Sequence, residues 1–512
     1  MMARVVNQLI WWVFVVVGLS VFFSAPYYLS HELFRMSRPV MLAVALISSG
    51  MILWIALSRH PRPVQPILKG RRDRLIFLIV ILAGVLLQAE WVALVVPVQS
   101  SDALDYSNTA RRLVETGTYA TDIGAGHLLH AGRPPGYPFF LAAVMEVFGA
   151  KPWVPTLGNI LINILTGIVV FSMATQFAGD KAASLALLLL ALWPSNTAMV
   201  GLAATEPLSV FLVVAGLWAF AMSTSRNRSR YAVLAGVVTG LSALVRSQLL
   251  ILPAVWVLFV AMDRVKRWVS IKHTALAIMA MLLTIMPWAV RNYRVLRAFV
   301  PVSTNGGDVF YRANNPLATG GWISQGERRL DVDMFGGDEV QWNRTGFAWG
   351  MEWIKNHPLA FLKLALVKEH ILLGKDDSGI RWSLKMGHNE TGMFCRSMWG
   401  ISDAWWIGVW ALALIGAIRC RHFFAGNPTG GLMLSIVLFF VFTHCIFESQ
   451  PRYHMPFVGI LVVIAAMAVF PAQVRTHLVR HKSAENDKLQ IRKVTHAIDE
   501  GKVEFSSVNF RP

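Results

Sequence analysis

The sequence predicts an all-α polytopic membrane protein with about twelve transmembrane helices, within a range of about 10–13. Three observations support this fold class. Hydrophobic residues make up 55% of the chain and charged residues 15%, whereas a soluble domain carries about 25% charged residues. The apolar residues are gathered in runs of about 20, the length of helix that crosses a bilayer. Lysine and arginine are concentrated in short segments between some of these runs, as in membrane proteins that follow the positive-inside rule.

The apolar runs predict the helices in order along the chain. They lie at about 5–23, 39–57, 75–97, 158–178, 184–200, 206–223, 232–247, 248–262, 274–290, 403–418, 432–447 and 455–471. The seventh and eighth runs are short and can form one bent hairpin, so the expected count is a range. The first run follows Arg4 and has no small-residue cleavage site, which indicates a retained helix rather than a signal peptide.

The basic loops set the expected orientation. Lysine and arginine cluster in the loops 58–74, 224–231, 263–273 and 419–431. With twelve helices, all four loops lie on one side together with both termini, and the positive-inside rule makes that side the cytoplasm. We therefore expect a multi-pass protein of the inner (cytoplasmic) membrane. The net charge of +18 fits these loops and their attraction to anionic lipid headgroups, and no nucleic-acid partner is expected.

Four regions follow from this topology. Residues 1–290 hold helices one to nine and an outer loop at 98–157, residues 291–402 form a small outer subdomain, residues 403–471 hold the last three helices, and residues 472–512 form a basic cytoplasmic tail. The three cysteines are too few for a disulfide framework.

The outer loop 98–157 carries most of the candidate chemistry. Apolar spacing predicts a helix from Asp102 to Glu115 that ends at Gly117, and a second helix within 136–148 that lies in the interface. Asp102 either caps the first helix or offers a carboxylate that takes a proton from an acceptor hydroxyl, and the two roles can coexist. Asp105 lies on the same helical face. Together the two acids also form a weak divalent-cation signal.

Other charged residues are predicted at the outer ends of membrane helices. Glu206 opens one apolar run, and an ionisable residue there is a functional candidate. Arg246, Arg291 and Arg452 lie at the outer ends of others. Each arginine either snorkels to lipid headgroups or belongs to a ring of cations that binds a phosphate, for which the guanidinium fork is well suited.

Four segments together resemble a known family. They are Asp102-x-x-x-Tyr106, the block Arg133-Pro-Pro-Gly-Tyr137-Pro, the passage 286–320 with Arg291 and Asn292, and Pro451-Arg452-Tyr453-His-Met-Pro456. The chain resembles the membrane glycosyltransferases of the C-type fold, in particular the bacterial group related to protein O-mannosyltransferases and the lipid A aminoarabinose transferase.

The resemblance implies an enzyme and assigns roles to its residues. A sugar would move from a polyprenyl-phosphate donor to a hydroxyl of a glycan, lipid or protein acceptor, at the outer face of the membrane. Asp102 would be the base or the acceptor-orienting group, and Glu206 matches an acid of the family. Many family members have a second acid directly after the first, where this chain has Ala103, and Asp105 would take the place of that acid. A divalent cation is therefore possible, and no other cofactor is expected. The expected substrate-binding residues are Tyr106, Arg133, Tyr137, Arg246, Arg291, Asn292, Arg452 and Tyr453.

Two alternative functions remain at this point. One is a transporter or flippase of lipid-linked sugars, and the other is an enzyme like an O-antigen ligase, with a diphosphate-linked donor. Transporters place charges near the bilayer midplane and often carry internal repeats. The acids and arginines of this chain are expected at the outer ends of helices, and we see no repeat, which favours chemistry at the membrane surface.

Overall fold

The protein is almost entirely helical in the computed structural model. The structure describes residues 2–33, 71–122, 127–263, 265–323, 330–385, 392–471 and 474. The expected run 39–57 and nearly all of the tail 472–512 lie outside the described residues. In the part that is described, eight helices are long and apolar enough to cross a membrane by length and composition.

The described residues of the first part of the chain form two long helices and, after them, the loop with the candidate acids. The elements are α1 (Met2–Leu33), α2 (Arg71–Val95), α3 (Ser101–Thr116), β1 (Thr121–Asp122), β2 (Leu128–Leu129) and α4 (Gly136–Phe148). The strands pair antiparallel, with Thr121 opposite Leu129. As predicted, α3 ends at Gly117, which adopts the left-handed conformation and donates its N–H to the Leu113 carbonyl.

The middle of the chain forms a helical bundle. Its helices are α5 (Val154–Ala178), α6 (Asp180–Ala191), α7 (Pro194–Met199), α8 (Thr205–Arg226), α9 (Ser229–Val245), α10 (Pro253–Met262) and α11 (Arg267–Leu296). The expected run 184–200 is divided between α6 and α7, because Pro194 cannot continue a helix and starts a new one. The runs 232–247 and 248–262 form α9 and a 3₁₀ turn followed by α10, all shorter than a full span. The count of twelve spans is therefore not confirmed.

Further helices follow α11 in the described residues, and the first two of them lie against the loop that carries α3 and α4. They are α12 (Gly306–Ala313), α13 (Glu339–Asn356), α14 (Pro358–Leu373) and α15 (Ser378–Lys385). The backbones of α12 and α13 nearly touch, since a Cβ on Gly307 would meet the Asn343 carbonyl oxygen at 1.8 Å. Thr304 donates its N–H to the Ala131 carbonyl at 2.8 Å, which ties this segment to the loop.

The last helices complete the core. They are α16 (Met393–Arg419), α17 (Arg421–Phe424), α18 (Pro428–Ile446) and α19 (Met455–Val469). Residues 455–468 of α19 are all buried, and α19 packs against α6, α8 and α16. A 3₁₀ turn, Pro451–His454, precedes α19. This buried helix therefore begins directly after the turn that carries Arg452 and anchors that turn.

Candidate functional site

Asp102 lies in the first turn of α3 and binds two arginines. Its Oδ1 accepts a hydrogen bond from Arg133 Nη2 at 2.7 Å, and its Oδ2 accepts one from Arg452 Nη2 at 2.9 Å. The interpretation of Asp102 as a helix cap is wrong, because the N-cap position is Ser100 and no side chain makes a capping hydrogen bond there. The Asp102 carboxylate therefore serves contacts between distant parts of the chain.

Arg133 joins the two acids of α3. The same nitrogen that binds Asp102, Nη2, lies 2.8 Å from Asp105 Oδ2. The guanidinium also lies 5.8 Å from the centroid of the Tyr106 ring. Tyr119 donates its hydroxyl to the Arg133 carbonyl at 2.8 Å. Asp102 and Asp105, which were predicted on one helical face, and Tyr106 thus meet a single arginine of the loop before α4.

A second ion pair lies beside the first. Glu206, in the first turn of α8, is buried and accepts a hydrogen bond from Arg246 Nη2 at 2.7 Å. Arg246 Nη2 also donates to Thr205 Oγ1 at 3.2 Å. Arg452 Nε is 3.8 Å from Glu206 Oε1, so Arg452 lies between Asp102 and Glu206. We call Asp102, Asp105, Glu206, Arg133, Arg246 and Arg452 the ionic cluster.

Aromatic rings support the arginines of the ionic cluster. Arg452 lies 4.5 Å from the centroid of Trp382 and 5.4 Å from that of Tyr453. Arg246 lies 5.5 Å from the centroid of the same tyrosine. Stacking on aromatic rings fixes the plane of a guanidinium and leaves its edge for anions. The sequence identified Tyr453 but not Trp382, because nothing in the spacing of α15 marks that residue.

Polar residues outside the cluster hold Arg452 and Tyr453. Gln450 Oε1 accepts a hydrogen bond from Arg452 Nε at 3.0 Å, and Tyr453 donates its hydroxyl to Glu448 Oε1 at 2.9 Å. Glu448 Oε2 lies 3.0 Å from Arg312 Nη1 of α12. No sequence pattern indicated Glu448 or Arg312, since only the fold brings the end of α18 to α12.

Arg291, Asn292 and Tyr137 bind other parts of the protein. Arg291 donates from Nη1 to the His130 carbonyl at 2.6 Å and from Nη2 to the Tyr119 carbonyl at 2.9 Å. Asn292 Nδ2 donates to the carbonyls of Val300 and Val302. The Tyr137 side chain is fully buried, with its hydroxyl 3.5 Å from Asn159 Oδ1. These contacts fix the loops around the ionic cluster.

Burial and the neighbouring charges shift the pKa values of Asp102 and Asp105 in opposite directions. Burial alone would raise the pKa of Asp102, but Arg133 and Arg452 outweigh it and hold the pKa well below its ordinary value. Burial raises the pKa of Asp105 although Arg133 opposes the shift. Burial also raises the pKa of Tyr106 to about 12. Asp102 is therefore ionised at neutral pH, and Asp105 accepts a proton more readily than Asp102.

The cations of the ionic cluster keep donors for an anionic ligand. A guanidinium has five N–H donors, and the three acids do not use all of them. In the described part of the chain, Arg246 Nε is buried without a hydrogen-bond partner. A buried donor without a partner is costly, and oxygen atoms of a phosphate group would satisfy it.

Comparison with known proteins supports the fold. Residues 132–290 match the family model of the dolichyl-phosphate-mannose-protein mannosyltransferases. No curated protein sequence matches the chain significantly. The structure is similar to the archaeal oligosaccharyltransferase AglB from Archaeoglobus fulgidus in complex with an inhibitory peptide and a dolichol-phosphate, with a TM-score of 0.51 and 14% identity over 82% of this chain and 52% of that one. The apo form of the Archaeoglobus fulgidus oligosaccharyltransferase gives a TM-score of 0.51 and 14% identity over 85% of this chain and 53% of that one.

A third structure, ArnT from Cupriavidus metallidurans bound to undecaprenyl phosphate, has a TM-score of 0.39 and 14% identity over 78% of this chain and 77% of that one. The chain spans about half the length of the archaeal oligosaccharyltransferase. The match to that protein shows the fold and confirms the predicted C-type architecture of a multi-pass membrane protein.

Proposed function

We propose that the protein is a glycosyltransferase that moves a sugar from a polyprenyl phosphate to an acceptor hydroxyl. The main observation behind the proposal is that Arg133 and Arg452 bind the Asp102 carboxylate at 2.7 and 2.9 Å. The Arg246–Glu206 ion pair lies beside them. This arrangement joins an ionised carboxylate to cations with free donors at the ends of membrane helices. The match to a family that uses dolichyl-phosphate-mannose and the fold shared with an enzyme solved with a dolichol-phosphate support a lipid-linked donor.

The arginines would hold the donor phosphate. Arg452 and Arg246 share the Glu206 carboxylate at 3.8 and 2.7 Å, so their guanidinium groups lie side by side. Phosphate oxygens bind such forks at two points, which fixes the orientation of the sugar. The charge that develops on the departing phosphate would be stabilised by these fixed cations.

The transfer itself needs one bond to form, one to break and one proton to move. The acceptor oxygen forms a bond to the anomeric carbon while the bond from that carbon to the phosphate oxygen breaks. The electron pair of the broken bond leaves with the polyprenyl phosphate. The hydroxyl proton passes to a carboxylate of α3. Arg133 binds Asp105 only at Oδ2, which leaves Oδ1 for this proton, while Asp102 orients Arg133 and Arg452.

The location of the reaction follows from the charge distribution. The basic loops 224–231, 263–273 and 419–431 connect helix ends opposite to those that carry the ionic cluster. By the positive-inside rule the cluster faces the outer, periplasmic side of the inner membrane. The segment 291–402 would then be an outer subdomain that covers the site and receives the glycan, lipid or protein acceptor.

The test is a transfer assay with purified protein. A polyprenyl-phosphate sugar and the corresponding nucleotide sugar are supplied in parallel, with acceptor material from the cell envelope. We expect transfer from the lipid-linked donor alone. Transfer from the nucleotide sugar alone would overturn the donor, the orientation and the role of the arginines together.

A further inference from the structure

The two acids of α3 face one guanidinium nitrogen. Arg133 Nη2 lies 2.7 Å from Asp102 Oδ1 and 2.8 Å from Asp105 Oδ2. A divalent cation that bridged these carboxylates would lie roughly 2.0–2.6 Å from the same two oxygens. The position between the acids is therefore filled by a positively charged group of the chain.

We propose that Arg133 is a built-in substitute for a bridging divalent cation, so that sugar transfer at this site needs no bound metal ion. The inference rests on the proposed function and adds to it the nature of the cation at the acid pair. It concerns a residue of the loop before α4, outside the two acids that suggested a metal site in the sequence.

With Arg133 in place, the oxygens that the two acids leave free are too few for a hard cation. Magnesium and calcium take six or more oxygen ligands. The other oxygen of Asp102 is already bound by Arg452 Nη2 at 2.9 Å. Within the described ranges, no group of three or more histidine, cysteine, aspartate or glutamate side chains could hold a metal ion. A dication would also meet the positive charges of Arg133 and Arg452.

The backbone keeps Arg133 in place. Pro134 and Pro135 follow it directly and restrict the main chain. Tyr119 binds its carbonyl at 2.8 Å, and the Tyr106 ring lies against its guanidinium. Burial lowers the pKa of Arg133, but Asp102 and Asp105 outweigh this effect and raise it. Displacing Arg133 would break two charge-assisted hydrogen bonds in a partly buried site, so a metal ion would have to offset that cost.

The first experiment removes metal ions from the wild-type protein. Purified, tag-free protein is treated with excess EDTA, and transfer from a polyprenyl-phosphate sugar is compared with that of untreated protein. We expect no change in rate. Loss of transfer that Mg²⁺ or Mn²⁺ restores would overturn the proposal. If the untreated protein transferred no sugar, the proposed function would fail instead, which is a separate result.

The second experiment empties the position of the guanidinium. Mn²⁺ binding is measured by electron paramagnetic resonance on the wild-type protein and on R133A, R133Q and the double variant R133A/D105N, each checked for folding by size-exclusion chromatography. R133A removes the side chain, whereas R133Q fills the same space without charge. We expect one additional Mn²⁺ per chain in R133A alone. An additional ion that persists in R133A/D105N, or no additional ion in a folded R133A, would refute the equivalence of Arg133 and a cation.

Discussion

Arg452 Nη2 binds Asp102 Oδ2 at 2.9 Å across 350 positions of the sequence. Arg452 precedes α19, whose residues 455–468 are all buried, and Asp102 lies in the first turn of α3. The contact therefore joins the loop with the candidate acids to the centre of the bundle. The Arg452 guanidinium also lies 3.8 Å from Glu206. A substitution of Arg452 therefore changes the surroundings of both Asp102 and Glu206.

The variant D102N tests the carboxylate at the centre of the ionic cluster. The amide keeps the size of the side chain but loses the negative charge that positions Arg133 and Arg452. We expect transfer to fall by about 100-fold or more, since misplaced catalytic groups cost that much. The rate is measured with a lipid-linked donor. The matched control is E115Q, an exposed acid on the same helix, which should transfer at the wild-type rate. A D102N protein that transfers as fast as E115Q would remove Asp102 from the mechanism.

The variant R452K tests whether Arg452 binds the donor phosphate. Lysine keeps the charge but has no planar fork, so it cannot bind Asp102 and Gln450 and stack on Trp382 at the same time. We expect the KM for the lipid-linked donor to rise by about 10-fold, with a smaller change in the KM for the acceptor. R111K, at an exposed arginine of α3, is the control. Equal KM values for R452K and the wild type would assign the phosphate to other residues.

The variant R291K separates a loop contact from a phosphate contact. Arg291 donates to the carbonyls of His130 and Tyr119 and lies 4.7 Å from the Trp288 ring centroid. Lysine can replace only part of these contacts, so we expect a lower melting temperature and a lower kcat, with the donor KM unchanged. Steady-state kinetics and thermal unfolding in detergent measure the three quantities. A raised donor KM with wild-type stability would instead place Arg291 at the phosphate, as first expected from its position at a helix end.

Some features of the fold and of the ionic cluster could be predicted from the sequence, and others could not. The helix from Asp102 onwards and its stop at Gly117 follow from local spacing and from the left-handed conformation that glycine allows, and both are present in the structure. The partners of Asp102 lie 31 and 350 positions away, and no local pattern encodes such contacts. Arg246, Arg291 and Arg452 all follow the same rule of arginine at a helix end, yet only tertiary packing decides that Arg291 binds backbone carbonyls. The proline at position 194 divides the apolar run 184–200 into two helices. This effect is local, but the uninterrupted apolar composition of the run predicted a single helix.

The pH dependence of stability should report the Asp102 ion pairs. The pKa of Asp102 in the folded protein lies well below its ordinary value of 3.8, so the unfolded chain binds the proton more readily. Stability from these contacts is therefore complete above about pH 4 and is lost as the pH falls through the folded pKa. We expect the wild-type melting temperature to exceed that of D102N near pH 6 and the difference to shrink below pH 4. A difference that is constant over this range would contradict the assigned shift.

A buried pair behind Arg452 should matter for its placement. His454 Nδ1 lies 2.7 Å from the Leu372 carbonyl oxygen, and His454 Nε2 lies 3.0 Å from Asp376 Oδ1. Both ring nitrogens face oxygen atoms, so the histidine and the aspartate must share a proton between them. Trp193 Nε1 donates to the other oxygen of Asp376 at 2.6 Å. This pair locks the 3₁₀ turn that carries Arg452 onto the segment after α14.

The variant H454A leaves the buried Asp376 without its histidine partner, while the hydrogen bond from Trp193 remains. Removing one member of a buried pair costs about 3–5 kcal/mol, so we expect a lower melting temperature in detergent. The double variant H454A/D376A should recover part of the loss, because no buried carboxylate remains unpaired. The donor KM should rise in both variants, since the turn that presents Arg452 is loosened in either case. A donor KM that stays at the wild-type value while stability falls would show that the pair stabilises the fold without positioning Arg452, and the link between the buried pair and the phosphate would be lost.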